Sequence, residues 1–401
     1  MLGMSDSLIY YLIVCIAGGV LIGLWQKKFG PLPENIETVM GRVKTEGGYP
    51  YNRLHIIAVS AILPLIFGGA LGPEAGLSGL IAGMCCFIGD RLRYKGNSLA
   101  ALTESGIAAT LGVIFGAPLF GIVGNLEPDN SKEQYREKLV SKRTRIIIYC
   151  FGVMGAFAAF RLLGTITGTS AGLPRFNPEH GIGIEQWKWF VPLFAIGLVL
   201  SVFYKALNKL TALIKNKIGK KEVLCCTIAG AAVALCGYFL PLTMFSGEDE
   251  LVYLIDEWMS NSMIIMVVSA LVKLILVNVC INLGWKGGNI FPMIYSCALI
   301  GYSFAMLTGM DGAFAVAVVT ASFYACVIRK PVTAIAILLL CFPITYILPL
   351  GVAAIAASKI PLPLQNKDPD DSQKDSTSPH NDLDDFQKDL VAFQKHVDKH
   401  K

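Results

Sequence analysis

Two short stretches of this 401-residue chain hold residue types and spacings that could do chemistry. The first runs Phe67-Gly-Gly-Ala-Leu-Gly-Pro-Glu-Ala-Gly76, and the second Gly284-Trp-Lys-Gly-Gly-Asn-Ile-Phe-Pro292. Each sets glycines and a proline inside a segment otherwise apolar enough for a bilayer. A helix broken there leaves backbone groups that hydrocarbon cannot satisfy, and such a break is tolerated where it lines a watery cavity. Proline suits the first turn of a helix, so the pattern predicts one helix starting near Pro73 and another near Pro292. A helix start offers free N–H groups and the positive end of the macrodipole. Two such starts meeting at mid-membrane would bind an anion without any cationic side chain, as discontinuous helices do in transport sites.

The titratable residues in apolar surroundings are few. Glu104, within the apolar run from Ala100 to Val123, is expensive to ionise in lipid and should face a cavity or a partner. Lys286, beside the second stretch, could draw anions into a vestibule; snorkelling is the cheaper explanation for it and for Lys273. The eleven cysteines include Cys85-Cys86 and Cys225-Cys226 but no C-x-x-C pair, and they read as small buried hydrophobes. His55, His180, His380, His396 and His400 lie mainly in loops and tail and form no set with a nucleophile or metal ligands. No metal, cofactor or enzymatic chemistry is therefore expected.

The elements that must position these residues follow from composition. With 54% apolar and only 16% charged residues, and a mean hydropathy of +0.57, the chain is an all-α polytopic membrane protein. Apolar blocks run from Leu8 to Ala357, several too short or too glycine-rich for a simple span of about 20 residues, so re-entrant and tilted helices are expected. The formal charge of +5 comes largely from loop clusters such as Lys27-Lys28, Lys132 to Arg145 and Lys215 to Lys221. These read as cytoplasmic anchors rather than a nucleic-acid surface. Gly76, Gly79 and Gly83 share one helical face and allow close packing. The acidic run Glu248-Asp-Glu250 reads as a solvated loop with helix-capping carboxylates.

An internal repeat organises the whole. Pro118 follows Pro73 by 45 residues and Pro331 follows Pro292 by 39, each heading an apolar helix start. The repeat halves are placed at about 1–165 and 187–363, within a transmembrane domain of 1–365. From Asn366 the chain turns polar, and a tail of 366–401 ends in a short amphipathic helix through Leu383, Phe386, Leu390, Phe393 and Val397.

With these motifs in place, the chain resembles the CLC family of chloride channels and chloride/proton antiporters. Gly69-Ala-Leu-Gly-Pro73 is similar to the family's G-[KR]-E-G-P, Gly288-Asn-Ile-Phe-Pro292 to its G-x-F-x-P, and Gly30-Pro-Leu-Pro33 to its G-S-G-I-P. The resemblance covers about Leu8 to Pro363. It implies a homodimer in the plasma membrane, each subunit built from inverted repeats around its own anion pathway, with lipid and chloride or another small anion as partners. By carry-over, Gly30, Leu71, Gly72, Asn289 and Ile290 would line the anion site. The departures are informative. The family's gating glutamate falls at Leu71, its anion-coordinating serine at Gly30, and its pore tyrosine nearest Pro363. The antiporters' internal glutamate falls at Pro128, with Glu127 adjacent. The first apolar block matches the family's second large helix, so the chain is shortened or begins at a late start.

Loss of a titratable gate favours passive chloride flux through a CLC-like pore, as in voltage-gated chloride channels. Antiport stays open through Glu74, three positions after Leu71 and on roughly the same helical face, or through Glu104. A non-conducting scaffold descended from transporters is the third reading.

Overall fold

A computed structural model describes residues 7–34, 38, 39, 42, 49–91, 105, 106, 109, 142–167, 175, 176, 183–219 and 221–361. Glu104, Glu127, Pro118, Pro128, Pro363 and the tail lie outside them. Among the described residues the chain is helical, without strands. The helices are α1 (Leu8–Phe29), α2 (Leu54–Ile66), α3 (Glu74–Arg91), α4 (Lys142–Thr167), α5 (Ile184–Trp187), α6 (Phe190–Ile218) and α7 (Glu222–Phe239). They continue with α8 (Glu248–Glu257), α9 (Met263–Leu283), α10 (Ile290–Thr308), α11 (Gly312–Ile328), α12 (Pro331–Cys341) and α13 (Ile347–Lys359).

Among the described residues, six helical segments are long and apolar enough to cross a membrane: α1, Ile146–Ile166 of α4, α6, α7, α9 and α10. Three more, Leu54–Ile66, Gly312–Ile328 and Ile344–Lys359, are apolar but short, as broken and tilted helices require. The expected starts are present. Helix α3 begins at Glu74, directly after Pro73, and α10 at Ile290, two residues before Pro292. Pro331 opens α12.

Small residues set the packing distances. A Cβ added at Gly76 would lie 2.1 Å from Ala61, and one at Gly83 would lie 2.5 Å from Leu54, so α3 lies directly on α2 as the shared glycine face predicted. Helices α1 and α7 meet as closely: Gly19 faces the Cys226 carbonyl and Gly230 the Cys15 carbonyl. Helix α11 is enclosed, buried from Gly312 to Cys326, and Asp311 caps it by accepting from the Phe314 N–H at 2.7 Å. All eleven cysteines are free thiols, eight of them buried.

Candidate anion site at the crossing of two broken helices

The two glycine-rich breaks meet. Gly72 N–H donates to the Gly288 carbonyl at 2.8 Å and Gly288 N–H to the Gly72 carbonyl at 2.7 Å, an isolated antiparallel bridge. These two bonds satisfy backbone groups that the helix breaks would otherwise leave open in a low-dielectric interior. They also bring the starts of α3 and α10 together.

Each break is pinned from behind. The turn at Gly284 has φ +114°, a conformation suited to glycine, and its carbonyl accepts from the Gln26 side-chain amide. Trp285, fully buried, donates its indole N–H to the Cys226 carbonyl at 2.9 Å and fills the space beside Gly69. On the other side, the Gly68 carbonyl (φ +79°) accepts from the Phe245 N–H at 3.2 Å, while Met244 packs over Gly68.

Glu74 occupies the crossing. It is the first residue of α3, yet its carboxylate reaches the start of the other broken helix, where Oε1 accepts from the Ile290 N–H at 2.8 Å. Oε2 has no hydrogen-bond partner among the described residues, and the side chain is 1% exposed. Both bridging glycines make room for it. A Cβ at Gly72 would sit 1.9 Å from Oε2, and one at Gly288 would sit 1.9 Å from the carboxyl carbon. The carboxylate thus sits at the α10 start, where helix polarity and N–H donors favour negative charge.

The other residues expected at the site are placed as follows. Leu71 is fully buried, its N–H donates to the Gly69 carbonyl at 2.8 Å, and its side chain packs against Gly287. The Gly72 N–H is held by the bridge. Gly30 has φ +92° with open space where a Cβ would point, and its N–H caps α1 by donating to the Gln26 carbonyl at 2.8 Å. Asn289 is the N-cap residue of α10 and donates its side-chain amide to the Tyr204 hydroxyl at 3.2 Å. Lys286 is half-buried within electrostatic reach of Lys215 at the end of α6. Glu34, beside the Gly30 turn, pairs with Arg42 at 2.8 Å. The described geometry therefore gathers Glu74, Gly72, Ile290 and Asn289, and leaves Gly30, Leu71 and Lys286 at its margins.

One residue escaped sequence reasoning and another was misread. Tyr204 is buried in the middle of α6, and nothing local marks it as a neighbour of Asn289. Lys273 does not snorkel: it is fully buried in α9 and donates to the carbonyls of Leu242, Met244 and Phe245 at 3.2, 2.9 and 3.1 Å. Its Nζ also lies 4.8 Å from the centre of the Tyr295 ring on α10. A lysine at mid-helix costs about 3 kcal/mol to insert in a membrane, and hydrogen bonds to a charged group return about 1.5–3 kcal/mol each. Carbonyls gathered inside the protein can therefore stabilise this charge without a path to water.

Comparison with known proteins agrees with this architecture. A family model described as voltage gated chloride channel matches residues 18–361. A search of curated proteins finds no match. Among solved structures, the chain is similar to a slow cyanobacterial Cl−/H+ antiporter at 18% identity and TM-score 0.74, covering 88% of this chain and 83% of that one. It is also similar to a CLC-type fluoride/proton antiporter at 17% identity and TM-score 0.63, covering 89% of this chain and 96% of the other. A eukaryotic CLC transporter matches at 15% identity and TM-score 0.66, covering 90% of this chain and 64% of its own length. With the family model spanning most of its length and the broken helices crossing as described, this multi-pass membrane protein belongs to the voltage-gated chloride channel, or CLC, family of anion channels and transporters.

Proposed function

We propose that the chain transports a small anion, chloride by default, through the crossing of the two breaks, with Glu74 as a displaceable carboxylate that links the anion to protons. The observation that carries this reading is the bond from the Ile290 N–H to Glu74 Oε1, made over two glycines that leave room for nothing larger than hydrogen. An ionised carboxylate there gains about 1.5–3 kcal/mol from a charged hydrogen bond and up to about 2 kcal/mol from the helix start. Against this stands a desolvation cost of several kcal/mol, with one oxygen unpaired. The opposing terms are of similar size, which suits a group that must leave and return. Protonation removes the charge that holds the side chain at the α10 start, and an incoming anion takes up the vacated N–H groups.

This reading reverses the preference drawn from Leu71 alone. The family's gate position is apolar and lies in the non-helical segment before α3, so it shares no helical face with Glu74 as the three-residue spacing suggested; Glu74, the first residue of α3, instead reaches the Ile290 N–H across the fold. The two anion/proton antiporters among the similar structures are consistent with it. By analogy with the family, the protein would work as a homodimer in the cell membrane, one pathway per subunit.

The test is anion efflux from liposomes containing the purified protein, with proton uptake recorded in parallel. Proton uptake driven by an outward chloride gradient is expected, and Glu74→Gln should abolish it while chloride efflux continues. Chloride efflux without proton movement in the unmodified chain would instead establish a passive pore. Absence of chloride, nitrate and fluoride flux would favour a scaffold.

A further inference from the structure

Lys273 makes contacts that its own helix does not explain. The segment Leu242–Phe245, which leaves the 3-10 turn Pro241–Thr243, crosses between α7 and α8 as a strap, and three of its four carbonyls turn inward to one ammonium. Three acceptors match the three N–H donors of the protonated amine; a neutral amine has only two. Gathering these carbonyls is accompanied by a left-handed backbone at Phe245, φ +53°, a conformation that a bulky residue adopts only when its surroundings hold it there. The strap then reaches both breaks. Phe245 donates its N–H to the Gly68 carbonyl at the start of the first, and Met244 covers Gly68. The ammonium itself lies over the ring of Tyr295, which stands on α10 just after the residues that meet Glu74. Gly247, following the strap, abuts the same ring, where a Cβ would come within 2.6 Å. Glu250 on α8 lies within electrostatic reach of the ammonium.

We infer that Lys273 is a positioning residue for the anion site: its ammonium acts as a built-in monovalent cation that folds the strap against Gly68 and the Tyr295 face, and so sets the separation of the two helix starts. The inference rests on the anion-transport reading, but part of its test does not depend on transport.

The experiment is Lys273→Ala, which leaves the carbonyl nest and ring intact with room for a small cation. Thermal stability in detergent and halide efflux from liposomes are measured in N-methylglucamine buffer, then with ammonium or methylammonium added. In the bulky-cation buffer, stability should fall and efflux should drop at least tenfold, with several-fold recovery of both in either amine. The unmodified chain should respond to neither. Stability restored without efflux would reduce Lys273 to a fold element and overturn the positioning role; no response of either quantity to the amines would overturn the cation nest. If the alanine variant does not fold, Tyr295→Leu and Lys273→Arg provide the second measurement through halide affinity. Each should weaken halide binding a few-fold, and unchanged affinity in both would also reject the inference. Absence of flux in the unmodified chain would count against the anion-transport reading, whereas the amine-dependent stability would still report on the nest.

Discussion

The two broken helices begin alike in sequence but offer opposite chemistry. At the start of α3, the Leu71 N–H donates to Gly69 and the Gly72 N–H to Gly288, so donors are consumed internally and the segment presents an acid. At the start of α10, the break carries no acid, and the Ile290 N–H is directed to a negative partner. On the proposed function, the start of α10 is the socket and Glu74 of the first break is the plug. A duplicated element can therefore diverge in function through one side chain, here Glu74, while backbone geometry is kept.

The sharpest way to break this division is to crowd the plug. Gly288→Ala and Gly72→Ala each place a Cβ within 1.9 Å of Glu74 side-chain atoms, and the closest atoms all belong to that side chain. The cheapest relief is for the carboxylate to swing out. We expect both variants to raise chloride efflux several-fold and to lose proton coupling, with no further effect of either in a Glu74→Ala background. Stopped-flow efflux with a parallel pH record measures this; retained coupling would mean that the carboxylate does not need the space.

Removing the socket is a smaller change. Replacing the Ile290 amide by an ester deletes one donor while keeping the side chain. A lost charge-assisted hydrogen bond of about 1.5–3 kcal/mol corresponds to roughly tenfold or more in halide affinity. Calorimetric titration should show that loss, and the same ester at Leu71, whose N–H is already committed to Gly69, should change affinity less than threefold.

The smallest effect concerns Glu248, an acid outside the spans within electrostatic reach of Glu74. Burial, and then the neighbouring Asp249 charge, push the Glu248 carboxyl up from 4.5 to about 6, against a lowering contribution from Ser246. A carboxyl raised in the folded state binds its proton more tightly than in the unfolded chain, so its contribution is full below about pH 4.5 and is lost as pH rises through about 6. Thermal stability should therefore decline modestly across that window, and Glu248→Gln should flatten the decline. An unchanged slope would mean that other groups carry it.

Much of the architecture was legible in the chain because it rests on local rules. Proline placed the helix starts at Pro73, Pro292 and Pro331 within two residues, and the spacing of Gly76, Gly79 and Gly83 identified the face that meets α2. What local rules could not supply was reach across the fold. Glu74 and Ile290 lie 216 residues apart, so a three-residue offset from Leu71 suggested a shared face but could not reveal which N–H the acid would meet. Lys273 misled for the same reason. Snorkelling is the default for a lysine in an apolar helix, and only the folded strap from Leu242 to Phe245 shows that carbonyls come to it instead.

The paired bonds between Gly72 and Gly288 carry a consequence for kinetics. A crossing stitched by backbone hydrogen bonds resists the rocking of one half against the other, a motion of microseconds to milliseconds. On the proposed function, if the stitch stays closed during turnover, the moving part is a single side-chain arm. The pace of the cycle is then set by how often a proton finds that arm, not by how fast a domain can swing.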